Sequence, residues 1–189
     1  MASDEERRVD QARRGDRNAF RLLVEDHARP LFALCARITR DAALAEDAVQ
    51  EALFNAWRHL PDFDGRSSFR TWLHRIAVNA ALEQMRRGAR HEAATMTVQD
   101  EDDDDEFLLR HGSDDPGPEQ HALGGEIGRH VESNLARMTV LERTAFLLRH
   151  TEGHSIEEIA QTLSLNISAS KQAIFRAVRK LRGALQPLR

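Results

Sequence analysis

Seven consecutive acidic residues, 100–106, constrain the fold of this 189-residue chain more than any other feature. Adjacent carboxylates repel one another and are solvated only by water, so this run cannot enter a hydrophobic core. A stretch that contains Gly and Pro, 112–118, follows it and resists helix formation. The sequence therefore predicts a flexible acidic linker over residues 91–118, with a small folded domain on each side.

The net charge of −4 is distributed unevenly along the chain. Residues 1–90 hold 16 Lys/Arg against 14 Asp/Glu, residues 91–130 hold 2 against 12, and residues 131–189 hold 9 against 5. Two basic segments joined by an acidic tether suggest two contact points on one polyanion. A basic face that is merely solvated would show the same composition, so this signal is weak by itself.

The acidic run has three possible interpretations. The simplest is a flexible spacer. The second is a nucleic-acid mimic, which would occupy a basic channel while no DNA or RNA is there. A metal site is the least favoured, because consecutive carboxylates do not converge on one ion without a folded loop.

The composition favours an all-α fold and argues against several classes of protein. Few runs of β-branched or aromatic residues occur, and no stretch of about 18 apolar residues is present, so no membrane span is expected. The acidic start lacks the apolar segment of a secretory signal. The single cysteine, Cys35, excludes an intrachain disulfide and fits a cytoplasmic protein. We expect it to be a small core residue rather than a reactive thiol.

The first domain is expected to contain an amphipathic helix capped by Asp41. Its apolar positions recur at helical spacing: Leu44, Ala48, Val49, Ala52, Leu53, Ala56, Trp57 and Leu60. Its other face carries acidic and amide side chains: Glu46, Asp47, Gln50, Glu51 and Asn55. Such a face is more often solvated than a binding site. Upstream, apolar residues between positions 20 and 38 predict two further helices.

A turn over residues 61–68 precedes another helix, for which Ser67 or Ser68 is the expected cap. Its buried stripe is predicted to consist of Leu73, Ile76, Ala77 and Ala80. A second edge is formed by Trp72, Arg75, Asn79 and Arg86. Arginine, an indole and an amide on one edge suit single-stranded nucleic acid, because they can hold phosphate, stack on a base and contact a base edge. Alternatively, Trp72 belongs to the core and the arginines are solvated.

The second domain shows two capping boxes, Thr139 with Glu142 and Ser155 with Glu158. They predict helices over 140–150 and 156–163. A three-residue turn, 164–166, then leads into a longer basic helix with Asn166 as its cap. Its predicted apolar stripe is Ile167, Ile174, Val178, Leu181 and Leu185.

A short helix, a tight turn and a longer basic helix are typical of a helix-turn-helix. The outward side chains of the longer helix suit the major groove of duplex DNA: Ser168, Lys171, Gln172, Phe175, Arg176 and Arg179. An ordinary antiparallel helix pair is the simpler alternative.

Two segments of the sequence resemble bacterial sigma-70 family factors. Residues 41–87 contain EDAVQEAL and FDGRSSFRTWLHRIAVN and resemble the second conserved region of the family. Residues 150–185 resemble its fourth region. Only these two regions are present, which is the layout of the extracytoplasmic-function class. The resemblance divides the chain into an N-terminal tail (1–15), region 2 (16–90), an acidic linker (91–118) and region 4 (119–189).

The resemblance implies a factor that binds core RNA polymerase and directs it to promoters, with no catalysis of its own. It assigns contact with the coiled coil of the β′ clamp to Glu46, Asp47, Gln50, Glu51 and Asn55. It assigns the melted −10 element to Arg66, Ser67, Phe69, Arg70, Trp72, Arg75 and Asn79, with a base flipped into the 63–69 loop. It assigns the duplex −35 element to Ser168, Lys171, Gln172, Phe175, Arg176 and Arg179.

The expected partners are core RNA polymerase, through its β′ clamp and β flap, promoter DNA and an anti-sigma protein; no cofactor or metal is expected. Three residues depart from the family pattern: Ser164 replaces the turn glycine, Ser170 a valine and Ala173 a basic residue. These departures leave the promoter sequence open.

The sequence leaves two other functions open. A stand-alone helix-turn-helix regulator would bind DNA without polymerase and would not need the acidic face around Asp47. An enzyme is the least favoured, because the nine histidines are scattered and no HExxH motif, phosphate-binding glycine loop or nucleophile elbow occurs.

Overall fold

The computed structural model describes residues 3–95 and 126–185, with side chains within 3–90 and 131–183. Every regular element in these ranges is helical, as predicted. The chain forms two compact units, Met1–Gly88 and Ala89–Arg189. The acidic run 100–106 lies outside the described residues. Among the helices that are described, none is long and apolar enough to cross a membrane.

The first unit contains four α-helices, each of which begins at a side-chain cap. They are α1 (Asp4–Arg13), α2 (Arg17–Thr39), α3 (Ala42–His59) and α4 (Phe69–Thr95), with a 3₁₀ turn at Leu60–Asp62. Asp41 Oδ1 accepts the backbone N–H of Leu44 at 2.9 Å, which confirms the predicted cap of α3. Ser68, rather than Ser67, caps α4, since its Oγ accepts the N–H of Thr71 at 3.0 Å.

The prediction of two helices between positions 20 and 38 is wrong. The segment forms the single helix α2, which continues through Pro30. Proline removes one backbone hydrogen bond from a helix and usually interrupts it. Here Leu23, Leu31, Leu34 and Ile38 are all buried along the helix, so tertiary packing outweighs the local preference.

Residues 1–15 are not a tail outside the first domain. Ser3 and Glu6 form a capping box that begins α1, and Val9 and Ala12 are buried. The helix packs along α2 and also contacts the 3₁₀ turn. The first folded unit therefore includes α1.

The core of the first unit is built around small side chains. Ala45, Ala48, Ala52 and Ala56 of α3 are all fully buried. Cys35 is fully buried as well, and its thiol lies 3.8 Å from the carbonyl oxygen of Ala77. Burial raises the pKa of the Cys35 thiol to about 12. This cysteine is a core residue, as predicted.

The second unit also contains four α-helices among its described residues. They are α5 (Glu126–Ala136), α6 (Val140–Phe146), α7 (Ile156–Thr162) and α8 (Ile167–Leu185), with one π-helical turn at Leu147–Thr151. Both predicted capping boxes are present, at the starts of α6 and α7. Asn166 Oδ1 accepts the N–H of Ala169 at 2.7 Å, which confirms the cap of α8.

The predicted apolar stripe of α8 is partly wrong. The most deeply buried side chains on this helix are Ser170, Ala173, Ala177 and Leu181. Ile174 and Val178 are only half-buried, Ile167 is 38% exposed, and the side chain of Leu185 lies outside the described residues. Small side chains allow α8 to pack closely on its neighbours. The buried face of the helix is therefore the face with the small residues, and not the face with the large apolar residues that the sequence suggested.

A partly buried ion pair joins α6 to α8. Lys180 Nζ lies 2.5 Å from Glu142 Oε2, and the Glu142 side chain is 8% exposed. Burial by itself would raise the pKa of Glu142, but hydrogen bonds from Lys180 and Thr139 and the positive charge of Lys180 outweigh it. The pKa therefore lies below its ordinary value of 4.5.

This pair predicts a stability contribution that depends on pH. Because folding lowers the pKa of Glu142, the contribution is complete above pH 4.5 and is lost as the pH falls through the lowered pKa. Lys180→Met should lower the free energy of unfolding by about 1–2 kcal/mol at neutral pH, a figure already reduced for the exposure of Lys180. Thermal unfolding of both proteins from pH 7 to pH 3.5 measures the difference, which should shrink below about pH 4.5. An unchanged difference across that range would contradict the assignment.

Candidate functional surfaces

The outward face of α3 carries most of the acidic and amide side chains that the sequence indicated. Glu46, Asp47 and Gln50 are exposed and Asn55 is half-buried. Glu51 turns toward α4, where it accepts a hydrogen bond from Gln84 Nε2 at 2.8 Å and lies 3.5 Å from a guanidinium nitrogen of Arg87. Four of the five residues thus remain available to a partner, while Glu51 mainly links two helices.

An exposed aromatic ring lies on this same helix. Phe54 is 62% exposed, and the guanidinium carbon of Arg58 lies 5.6 Å from its ring centroid. Phe54 was not among the residues predicted for this surface. Its exposure could have been inferred from the spacing, because Phe54 does not lie on the same helix face as the apolar residues Ala52 and Ala56. Aromatic residues are enriched in protein interfaces, so this exposed ring is a candidate contact for a partner protein.

The loop before α4 has a defined conformation. Gly65 adopts a φ of +73°, a left-handed geometry that favours glycine. Asp64 accepts the backbone N–H of Arg66 at 3.1 Å, and its other oxygen pairs with Arg66 Nε at 2.6 Å. The Arg66 side chain is nevertheless 88% exposed. Its positive charge is therefore held at the tip of the loop.

Three aromatic rings pack together beneath this loop. The ring centroids of Phe63 and Trp72 lie 5.1 Å apart, those of Phe69 and Trp72 5.7 Å apart, and those of Phe63 and Phe69 6.2 Å apart. All three side chains are buried. We call these three residues the aromatic cluster. The cluster packs beneath the loop and supports it.

The predicted nucleic-acid edge of α4 needs correction. Trp72 is buried in the aromatic cluster, so its ring does not lie on an open edge where a base could stack. Arg86 is half-buried and lies 3.7 Å from Glu83. Arg75 and Asn79 are exposed, as the spacing indicated.

The remaining residues predicted to contact the −10 element also include both exposed and buried side chains. Arg66 and Arg70 are exposed and Ser67 is half-buried, whereas Phe69 is buried beside Trp72. The polar residues can contact a ligand directly. The two buried aromatic residues can act only through the loop that they support.

The six predicted residues of α8 are brought together. They are all exposed, and they line one open, shallow concavity: Ser168, Lys171, Gln172, Phe175, Arg176 and Arg179. Phe175 is 65% exposed. Three cations, two polar groups and an aromatic ring on one helix face match the donors and the apolar contact that a major groove accepts.

The positions at which the sequence departs from the sigma-70 pattern that it resembles are mostly internal. Ser170 and Ala173 are buried, and the Ser170 hydroxyl donates to the carbonyl oxygen of Asn166 at 3.1 Å. Ser164 lies in the turn between α7 and α8 with a φ of +54°, the left-handed conformation that glycine adopts most easily. These departures therefore affect how α8 is packed rather than the side chains that it presents.

The described part of the chain contains no cluster of three or more His, Cys, Asp or Glu side chains that could hold a metal ion.

Family models match both units. The model of sigma-70 region 2 matches residues 23–91, and the model of sigma-70 region 4 matches residues 131–181.

Curated relatives and one solved structure are similar over nearly the whole chain. The RNA polymerase sigma-H factor of Pseudomonas aeruginosa is 37% identical over 95% of this chain and 93% of its own length. The ECF RNA polymerase sigma-E factor of Haemophilus influenzae is 32% identical over 95% and 94%. A structure of CnrH in complex with the cytosolic domain of CnrY matches with a TM-score of 0.64 and 27% identity, over 97% of this chain and 99% of that chain.

The burial of Trp72 predicts a large loss of stability when its side chain is truncated. Trp72→Ala should lower the free energy of unfolding by about 3–5 kcal/mol, because it leaves a cavity in the aromatic cluster. Arg75→Ala, on the exposed edge of the same helix, should change it by less than about 0.5 kcal/mol. Urea unfolding followed by circular dichroism measures both. If Trp72→Ala were as stable as Arg75→Ala, the ring would not be a core residue.

Proposed function

The chain belongs to the sigma-70 family of RNA polymerase sigma factors, in its extracytoplasmic-function class, and from this membership we propose how its surfaces divide the work of promoter recognition. As a sigma factor it directs core RNA polymerase to promoters and initiates transcription. In our proposal the outward face of α3 binds core polymerase, the loop before α4 binds the melted −10 element, and α8 binds the −35 element as duplex. All three roles are binding roles, and we assign the chain no catalytic step.

The outward face of α3 has the chemistry of a polymerase-binding surface. Glu46 and Asp47 offer exposed negative charge and Gln50 an exposed amide, which suits the coiled coil of the β′ clamp that the family uses. Phe54 adds an exposed ring that a partner can desolvate, and buried aromatic anchors carry much of the energy of protein interfaces. Charge and ring together support specific docking better than a merely solvated acidic face would.

The −10 loop supports recognition of a flipped base. Unstacking one base costs on the order of a few kcal/mol, so the loop must offer compensating contacts. Arg66 and Arg70 supply exposed positive charge for phosphate, and Asn79 supplies an amide for a base edge. We propose that these residues, with Ser67 and Arg75, contact the strand, while Phe69 and Trp72 hold the loop that presents them.

The open face of α8 supports recognition of duplex DNA. Lys171 and Arg176 can donate to guanine, Gln172 can bind adenine, and the edge of Phe175 can contact a thymine methyl group. One helix with few cations gives only weak affinity, so isolated factor should bind duplex promoter DNA weakly and with strong salt dependence. We therefore propose that core polymerase, through its β flap in addition to the β′ clamp that binds α3, holds this helix at the −35 element.

We also propose that an anti-sigma protein controls the factor. Proteins of this class are commonly held by such a partner, which covers their polymerase-binding surfaces. The similar chain CnrH forms a complex with the cytosolic domain of CnrY, which supports control of this kind. The exposed face around Asp47 and Phe54 is the surface that we expect the partner to cover.

Charge reversal on α3 tests the polymerase-binding surface. Asp47→Lys should weaken binding to sigma-free core RNA polymerase at least tenfold, because it replaces an attraction by a repulsion in the interface. Phe54→Ala should weaken it to a similar degree without lowering stability, since the ring is exposed. Fluorescence anisotropy of the labelled full-length chain measures the dissociation constants.

Asp10→Lys, an equally exposed acidic position on α1, is the matched control and should change core binding less than twofold. If Asp47→Lys bound core polymerase as well as this control does, the surface would be misplaced. Retained regulation of transcription by that variant, without core binding, would instead favour a stand-alone DNA-binding regulator.

Alanine substitution on α8 tests the −35 surface. Lys171→Ala or Arg176→Ala should cost roughly 1–3 kcal/mol in promoter binding by the holoenzyme, provided that each side chain contacts a base directly. The measurement is a titration of a native promoter fragment at several salt concentrations. Arg137→Ala, a cation in the turn after α5, should leave the affinity nearly unchanged. Neutral results for both α8 variants would show that the recognition face lies elsewhere.

A further inference from the structure

A histidine from α2 contacts the aromatic cluster from the side. The ring centroid of His27 lies 5.4 Å from that of Phe69, with the two ring planes at 65°. The edge of one ring therefore faces the other, which is a favourable arrangement for an aromatic pair. Phe69 is the first residue of α4 and directly follows the loop. His27 consequently lies against the point at which the loop joins its helix.

The other side of His27 is held by α1. Its Nε2 lies 3.1 Å from Glu5 Oε1, and the His27 side chain is 14% exposed. The adjacent residue, Asp26, pairs with Arg8 at 2.7 Å, so two neighbouring links join α1 to α2. Together, Glu5, His27 and Phe69 form a continuous chain of contacts from α1 to the start of α4.

A second observation places α1 beside the same loop. The helix contacts the 3₁₀ turn Leu60–Asp62, which directly precedes the loop. The loop is therefore bordered by α1 at its start and by the His27–Phe69 contact at its end. The helix α1 therefore contacts the chain directly before the loop and reaches the end of the loop through His27.

We propose that Glu5 and His27 are positioning residues for the −10 element. This inference rests on the proposed function of the loop. Glu5 holds the imidazole in place, the imidazole fixes the ring of Phe69, and Phe69 fixes the end of the loop that receives the flipped base. Neither Glu5 nor His27 touches DNA. Their effect is expected in promoter opening, where the loop must be ordered, and not in the earlier binding of duplex DNA.

The test separates promoter binding from promoter opening in the complete holoenzyme. Full-length variants are combined with sigma-free core polymerase on the genomic fragment that the wild-type holoenzyme transcribes most strongly. Gel shift measures the affinity of the closed complex, and permanganate reactivity of unpaired thymines measures the opening rate. His27→Ala should slow opening roughly five- to tenfold, while the affinities for core polymerase and for the closed complex change less than about twofold.

Three further variants identify the cause of the slower opening. Glu5→Ala should slow opening about two- to threefold, because the imidazole remains but loses its partner. His27→Phe should restore most of the rate, since it returns a ring edge to Phe69. Arg7→Ala is the matched control, because Arg7 pairs only with Asp4 within α1 at 2.7 Å among the described contacts, and it should open promoters at the wild-type rate.

Distinct results would overturn the inference. Opening by His27→Ala at the rate of Arg7→Ala would show that the contact does not position the loop. A proportional loss of core binding and opening would show a purely structural role. If His27→Ala fails to fold, equal opening rates for His27→Phe and His27→Leu would contradict a role for the ring. Failure of the wild-type holoenzyme to transcribe any fragment would reject the proposed function instead.

Discussion

Close helix packing through small side chains is the constraint on which both functional surfaces depend. In α3 the buried positions are Val49 and four alanines, Ala45, Ala48, Ala52 and Ala56, and in α8 they include Ser170, Ala173 and Ala177. Small side chains let two helix backbones approach closely, so each helix is fixed in rotation with few large residues fully buried. Polar side chains and one large aromatic ring on each helix then face outward. On α3 they form an acidic face around Phe54, and on α8 a cationic face around Phe175.

The −10 loop depends on the opposite arrangement, in which large rings are buried. Phe63, Phe69 and Trp72 pack together beneath the loop, and His27 contacts Phe69 from α2. Gly65 allows the turn at its tip, and Asp64 holds Arg66 there. The polar residues that can meet a DNA strand are thus attached to a packed aromatic support. In the proposed recognition of the −10 element, the buried rings act through the loop and do not contact the DNA.

The helix caps of this fold could be predicted from the sequence, whereas the face that each helix buries was predicted less accurately. Capping is local, so Asp41, Thr139, Ser155 and Asn166 could be identified from spacing alone. The rotation of a helix depends on what packs against it, which one segment does not show. Trp72 borders both the buried stripe and the polar edge of α4, and only the neighbouring Phe63 and Phe69 decide that it turns inward. Similarly, Ile167 fitted the predicted apolar stripe of α8, but the small residues of this helix form the buried face instead. The contact between His27 and Phe69 joins residues 42 positions apart, so local spacing could not show it.

We propose that the α3 and α8 surfaces act together on one complex of polymerase and promoter. The most direct test is multi-round transcription in vitro with sigma-free bacterial core RNA polymerase, this protein and a library of genomic fragments, with the transcript starts sequenced. We expect discrete starts, each preceded by two motifs at a fixed spacing. Binding of the protein to duplex DNA without any start, and without binding to core polymerase, would contradict it.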